Sequence, residues 1–261
     1  MTKKDWTSDY FGDSYLQVYS RYMTDPEEVR MEADFVLDQL GVKKGDAILD
    51  LACGFGRHLR SFFLRGIRAV GLDNNFSYLK FASGKMKRGK EFEAVMGDMY
   101  HLPFKDNVFH ALSCLFNSFG YVIEDEKTDH RPVLKEAARV LKPGGGLFIE
   151  VPNRIPVIEM TRETPQTLQA GEDFLIHEFW DYNTESDVLY NRSVFMMEGK
   201  EESAGYRLRL YSPDEMEALL EKVGFSLTKI FGDYDGQDYS ENESPKMLVA
   251  ARVDSNPTDV L

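Results

Sequence analysis

Residues 46–58, Asp-Ala-Ile-Leu-Asp-Leu-Ala-Cys-Gly-Phe-Gly-Arg-His, constrain the chain more than any other stretch. Ala47, Ile48, Leu49 and Leu51 form an apolar run too short for a buried helix. Gly54 and Gly56 interrupt it, and a pattern with helical spacing follows. This predicts a buried strand, a tight glycine turn and the start of a helix. A glycine turn lets a ligand approach the backbone, because no side chain keeps it away. The free N–H groups of the next helix favour a carboxylate or phosphate at the same spot. Asp50 falls at the carboxyl end of the strand, where open α/β sheets bind ligands.

Two further strand tips follow at regular intervals. Ile67 to Leu72 reads as a second strand ending in Asp73, 23 residues after Asp50 (73 − 50). An acidic residue here suits the hydroxyls of a ribose. It also suits a helix N-cap, since Asn74, Asn75 and an amphipathic stretch come next. Phe92 to Met96 reads as a third strand leading to Asp98, 25 residues further on (98 − 73). A fourth strand is expected at Val108–Leu115, followed by the loop Phe116–Tyr121. Pro132–Leu141 is a helical stretch, and Lys142-Pro143-Gly144-Gly145-Gly146 breaks it before a fifth strand at Leu147–Val151.

Which nucleotide such tips would hold is decided by detail. A dinucleotide fold wants Gly-x-Gly-x-x-Gly, and here Leu59 stands where the third small residue belongs. The segment Asp50-Leu51-Ala52-Cys53-Gly54-Phe55-Gly56 instead resembles the first motif of class I S-adenosylmethionine-dependent methyltransferases. Pro103, Phe104 and Asp106 resemble the turn before the fourth strand of that family, and Leu141 to Gly145 the turn before its fifth. The resemblance extends from Lys44 to Val151. It implies an α/β fold with a Rossmann-like, mostly parallel seven-stranded sheet carrying one antiparallel strand. It implies S-adenosyl-L-methionine as cofactor. The expected contacts are Asp50, Ala52, Gly54, Gly56, Asp73, Asn74, Asp98, Met99 and Leu115, with Tyr15 closing from the N-terminal side. Gly54 and Gly56 would admit the methionine part, Asp73 the ribose and Asp98 the adenine. The loop at Phe116 is not Asn-Pro-Pro-Tyr, and no Pro-Cys supplies the nucleophile for cytosine carbon methylation. The implied activity is N- or O-methylation of a small molecule by in-line transfer. No catalytic base and no metal ligand is assigned. An NAD-dependent oxidoreductase and a non-catalytic S-adenosylmethionine-binding interaction protein are the alternatives.

The flanking segments suggest how an acceptor is enclosed. Trp6, Tyr10, Phe11, Tyr15, Tyr19 and Tyr22 crowd the start of the chain, four of them at helical spacing. They suit a helix packed by its rings, or a lid whose ring faces attract a sulfonium. Arg21 suits either solvent or the methionine carboxylate. Phe174–Tyr182, Val188–Met197 and Tyr206–Leu210 alternate with period two, which predicts antiparallel strands inserted after the fifth strand. On these strands His177 is the most plausible base, on the face shared with Leu175, Phe179 and Asp181. Arg192, Arg207 and Arg209 suit an acidic substrate or neighbouring glutamates. The expected domains are a cap at 1–43, a core at 44–152, inserted strands at 153–211, a closing helix and hairpin at 212–253, and a tail at 254–261.

Composition narrows the partners. A net charge of −13 without a basic patch disfavours nucleic acid. No stretch has the length of a membrane span. Two cysteines and no signal-peptide core suit a reducing cytoplasm. The expected partners are a small acceptor and, at most, a second copy in a homodimer.

Overall fold

The computed structural model describes residues 10–22, 25–84, 92–122, 128–169, 174–197 and 199–254. Trp6 and the tail after Asp254 lie outside these residues, as do the side chains of Arg21 and Tyr22. Short apolar runs become strands β1 (Ala47–Leu51), β2 (Arg68–Asp73), β3 (Glu93–Met96), β4 (Phe109–Cys114) and β5 (Leu141–Pro152). The inserted region supplies β6 (Gln166–Gln169), β7 (Phe174–Asn183), β8 (Val188–Met197) and β9 (Lys200–Arg209). The chain closes with β10 (Phe225–Phe231) and β11 (Lys246–Val253). Helices α1 (Asp13–Tyr22), α2 (Pro26–Leu40), α3 (Arg57–Leu64), α4 (Phe76–Gly84), α5 (Arg131–Val140), α6 (Arg154–Met160) and α7 (Pro213–Glu221) lie between them.

Seven strands form one sheet in the order β10-β11-β5-β4-β1-β2-β3. β1 to β5 are mutually parallel, and β11 runs antiparallel to both its neighbours. All five residues of β1 are buried, because helices cover both faces of the sheet. Leu49 and Leu51 join Leu112, Leu134 and Met216 on one face. Ile48 joins Ala33, Leu59 and Phe62 on the other. The expected seven-stranded α/β sheet with a single antiparallel strand is therefore the sheet observed.

The helix signals are read out as hydrogen bonds. Asp25 accepts the N–H groups of Glu27 and Glu28 at 2.8 and 3.2 Å, and Gly41 ends α2 at φ +64°. Ser212 and Glu215 form a reciprocal capping box at α7.

Three boundaries differ from expectation. β5 begins at Leu141, because Leu141 pairs with Phe109 before a bulge that carries Gly146 opposite Ala111. The inserted sheet has four strands, in the order β6-β7-β8-β9; β6 is a short, mostly exposed edge with no alternation to reveal it. β9 begins at Lys200, six residues before Tyr206, because the polar Lys200–Glu202 pair directly with Met197, Met196 and Phe195 of β8.

The inserted sheet is anchored to the core at one loop. The Val122 N–H donates to the Arg207 carbonyl at 2.9 Å, and the Arg209 N–H to the Gly120 carbonyl at 2.8 Å. A β carbon at Gly120 would stand 2.9 Å from the Arg209 carbonyl oxygen, so this junction needs glycine. No described helix is long and apolar enough to cross a membrane.

Candidate functional site

The tips of β1, β2 and β3 open onto one cavity. Asp50, Ala52, Gly54, Asp73, Asn74, Asp98, Met99, Leu115 and Tyr15 all line it. Gly56 is not among its lining residues. It holds φ +75°, and a β carbon there would press on Ala82 at 3.3 Å and Leu59 at 3.4 Å. Its place is the packing of α3 against α4.

Asp50 is 3% exposed and accepts the Ser113 hydroxyl at 2.7 Å. Burial pushes its carboxyl above the ordinary range, and the charges of His58 and Arg57 and the Ser113 bond offset this only in part. Asp73 accepts the N–H groups of Gly54 and Asn75, both at 2.8 Å. It thereby ties the glycine turn to the end of β2. Burial raises its pKa despite those bonds. The cap of α4 is Asn75, whose Oδ1 accepts from Ser77 and Tyr78 at 3.0 and 3.3 Å. Asp73 is thus released from the capping duty that its position suggested. Asp98 is exposed at the mouth and accepts the Tyr100 N–H at 2.9 Å.

Below the turn, Glu32 accepts from His58 at 2.8 Å and lies 3.2 Å from Arg57. Burial pushes Glu32 up, but the His58 bond and the Arg57 charge outweigh it and hold the carboxyl below its ordinary value. Arg57 also lies over the Phe116 ring, 4.9 Å from its centre. Phe116 and Asn117 both take left-handed backbone, at φ +56° and +57°, a conformation that costs on the order of 1 kcal/mol per residue outside glycine. Glu150 holds the loop in that shape. It is 1% exposed and accepts the Phe116 N–H and the Tyr234 hydroxyl, each at 2.8 Å. The sequence shows Glu150 only as one acid inside an apolar strand, so its role was not legible there. Asn117 does not line the cavity, whereas Phe116, Ser118 and Tyr121 do.

Two other cavity residues escaped sequence reasoning. His130 is 2% exposed and accepts the Tyr211 hydroxyl at Nδ1 (2.5 Å) while Nε2 donates to the Tyr121 carbonyl (3.0 Å). Burial lowers its pKa, so it is a neutral imidazole with both nitrogens engaged. Tyr78 is 5% exposed, yet its hydroxyl has no partner. Neither residue belongs to a motif; each is brought in by packing.

His177 is the clearest departure from expectation. Its Nδ1 contacts the Thr167 hydroxyl at 2.9 Å on an exposed part of the sheet, and it does not line the cavity. The pleat turns the opposite face inward, where Ile176 packs with Tyr10 and Tyr15. Arg209 is paired with Asp187 at 2.7 Å and Glu215 at 2.6 Å. Arg192 lies over the Phe179 ring at 3.9 Å. These two arginines therefore serve the sheet. Arg207 borders a separate hollow beside Asp187 and Tyr190.

The cavity suits an adenosine-bearing sulfonium. The buried Tyr78 hydroxyl has no hydrogen-bond partner and belongs to a cavity-lining residue, and such a group is costly to bury unmet. The rings of Tyr15, Tyr78 and Tyr121 supply faces that attract a cation. Among the described residues, no group of three or more His, Cys, Asp and Glu side chains is placed to hold a metal ion.

Comparison with known proteins agrees with this geometry. A family model described as a methyltransferase domain matches residues 48–145. The chain is 28% identical over 193 residues to the putative methyltransferase YqeM of Bacillus subtilis, covering 72% of this chain and 76% of that one. It is 34% identical over 154 residues to the demethylmenaquinone methyltransferase of Thermobifida fusca, covering 58% and 61%. The chain thus spans three quarters of the first relative and under two thirds of the second. An S-adenosylmethionine-dependent methyltransferase from Clostridium acetobutylicum shares the fold, with a TM-score of 0.75 at 15% identity over 92% of this chain and 98% of that one. Residues 48–145 thus match a methyltransferase domain, and they sit in the seven-stranded α/β sheet with the cavity at its strand tips that the methyltransferase resemblance implies.

Proposed function

We propose that the chain transfers a methyl group to a small-molecule acceptor, at nitrogen or oxygen, inside the cavity at the tips of β1, β2 and β3. The observation that carries this is the convergence of Asp50, Gly54, Asp73 and Asp98 on one open space. Support for a small acceptor comes from the ring-lined enclosure and from relatives named for quinone methylation. The net charge of −13 weighs against a polyanion.

S-adenosylmethionine supplies an electrophilic methyl on a positively charged sulfur. The protein holds the acceptor atom in line and excludes water. In this reading Gly54 leaves room for the methionine part. Asp73 binds the ribose hydroxyls, oriented by its two N–H donors. Asp98 and the Met99 backbone meet the adenine. Glu150 keeps the Phe116 loop in its left-handed shape beside the acceptor. The N-terminal segment to residue 43 and the insertion at 153–211 act as the cover. The two buried thiols, Cys53 and Cys114, favour a reducing compartment.

Calorimetric titration with S-adenosylhomocysteine tests the assignment. Wild type is expected to bind, and Asp73→Ala to bind at least about tenfold more weakly, as befits loss of a charge-assisted pair of hydrogen bonds. Unchanged affinity in Asp73→Ala, or no binding by wild type, would remove the basis of this reading.

A further inference from the structure

The inward face of the inserted sheet carries a polar group that the reading above does not use. Glu178, Ser193 and Ala204 stand opposite one another across β7, β8 and β9, and Trp180, Asn191 and Tyr206 form the next row. Residues paired in register share a face, so these six side chains look the same way. They look toward the N-terminal segment. Tyr10 meets the Tyr206 ring at 4.8 Å, and Tyr121, which lines the cavity, meets Tyr206 at 5.4 Å. The row therefore lies one ring behind the cavity wall.

The hydrogen bonding of this group is incomplete. The Ser193 hydroxyl lies 2.9 Å from Asn191 Oδ1 and 3.4 Å from Glu178 Oε1. One hydroxyl proton cannot serve both, and the shorter contact takes it. Glu178 is then left without a dedicated donor, and no salt bridge with it is formed among the described residues. Asn191 Nδ2 and Trp180 Nε1 are buried donors without acceptors, and Asn191 is only 6% exposed. Burial raises the phenol pKa of Tyr10, Tyr19 and Tyr206, and the Glu178 carboxylate adds to the rise in each. The phenols are thus neutral rings around an acid. Glu178, Trp180 and Tyr206 stay partly exposed, whereas Trp180 Nε1 and Asn191 Nδ2 are covered, so a ligand meets these two donors only by displacing the rings beside them.

One acceptor-only group and two donor-only groups, set among ring faces, specify complementary chemistry. The carboxylate calls for N–H donors carrying positive charge. The two donors call for oxygen acceptors a short distance away. The rings favour a cation over a neutral group. Resting on the methyltransferase reading, we infer that the acceptor is an amine with neighbouring hydroxyl or carbonyl oxygens, its ammonium held by Glu178 and its oxygens by Asn191 and Trp180. Glu178 is here a specificity-determining residue; the ring cluster of Tyr10, Tyr19 and Tyr206 encloses the cation.

Ligand-observed NMR with three matched probes tests this on the full chain, with and without S-adenosylhomocysteine. The probes are trans-2-aminocyclohexanol, trans-cyclohexane-1,2-diol and cyclohexylamine. Wild type is expected to bind the amino alcohol at least about tenfold more tightly than the diol, about 1.4 kcal/mol. In Glu178→Gln that preference should fall below about threefold, while S-adenosylhomocysteine affinity is unchanged. In Asn191→Ala the advantage of the amino alcohol over cyclohexylamine should shrink. Equal binding of diol and amino alcohol by wild type overturns the assignment. So does a preference that survives Glu178→Gln, or binding of none of the probes. The wild-type comparison stands even where a variant melts early. Failure of S-adenosylhomocysteine to bind would strike the methyltransferase reading instead, because the amine preference is also read without it.

Discussion

Asp50 shows how a single side chain can be conspicuous in sequence and still act through its surroundings. Its position at a strand tip was readable, but its burial to 3% and its Ser113 partner were not. They depend on β4 lying beside β1, 63 residues further along. Burial raises the Asp50 pKa above its unfolded value. The folded state therefore binds this proton more tightly than the unfolded chain does. Its contribution to stability is full below the unfolded pKa and is lost as pH rises through the folded one. Replacing it with Asn removes that loss while keeping an acceptor for Ser113. The stability of Asp50→Asn relative to wild type is expected to increase as pH is raised from about 4 to 8, measured by urea unfolding. A constant or narrowing difference would contradict the burial argument. His58 and Glu32 teach the converse lesson. Neither belongs to a motif, yet their 2.8 Å bond braces the start of α3 beneath the glycine turn.

At the scale of elements, period and punctuation in the chain carried most of the information. The apolar runs, the proline and acid at the head of α2, and the Ser212–Glu215 pair each specify local structure through contacts only a few residues apart. Contacts between elements are another matter. Gly71 in β2 reads as a weak strand residue, but a β carbon there would lie 2.6 Å from both Cys53 Sγ and Leu59 Cδ1. Its small size is what lets the glycine turn and α3 press onto the sheet. Gly71→Ala is expected to destabilise by about 1–3 kcal/mol through overpacking, seen as a lowered melting temperature. A melting temperature equal to wild type would show that Cys53 and Leu59 can move aside. The inserted strands make the same distinction. Alternation sorted His177 and Glu178 onto opposite faces, but nothing local says which face turns inward. The Tyr121–Leu208 bridge and the aromatic rings of the N-terminal segment decide it, and they favour Glu178.

For the whole molecule, the acidic excess is a global property with a global consequence. A net charge of −13 repels itself in the folded state more than in the expanded chain. Adding sodium chloride from about 0.02 to 0.3 M shortens the screening length and should raise the melting temperature by a few degrees. A fall over that range would mean that the ion pairs around Arg209 and Glu215 outweigh the repulsion. The chain by itself determined the parallel sheet, its glycine turn and the donor-binding class, because strand runs, caps and turn glycines act between near neighbours in sequence. Only the tertiary structure decided which face of the inserted sheet looks inward, which acid holds the Phe116 loop, and which polar atoms are left without partners. Those outcomes depend on residues tens to hundreds of positions apart meeting in space, and no local pattern encodes such a meeting.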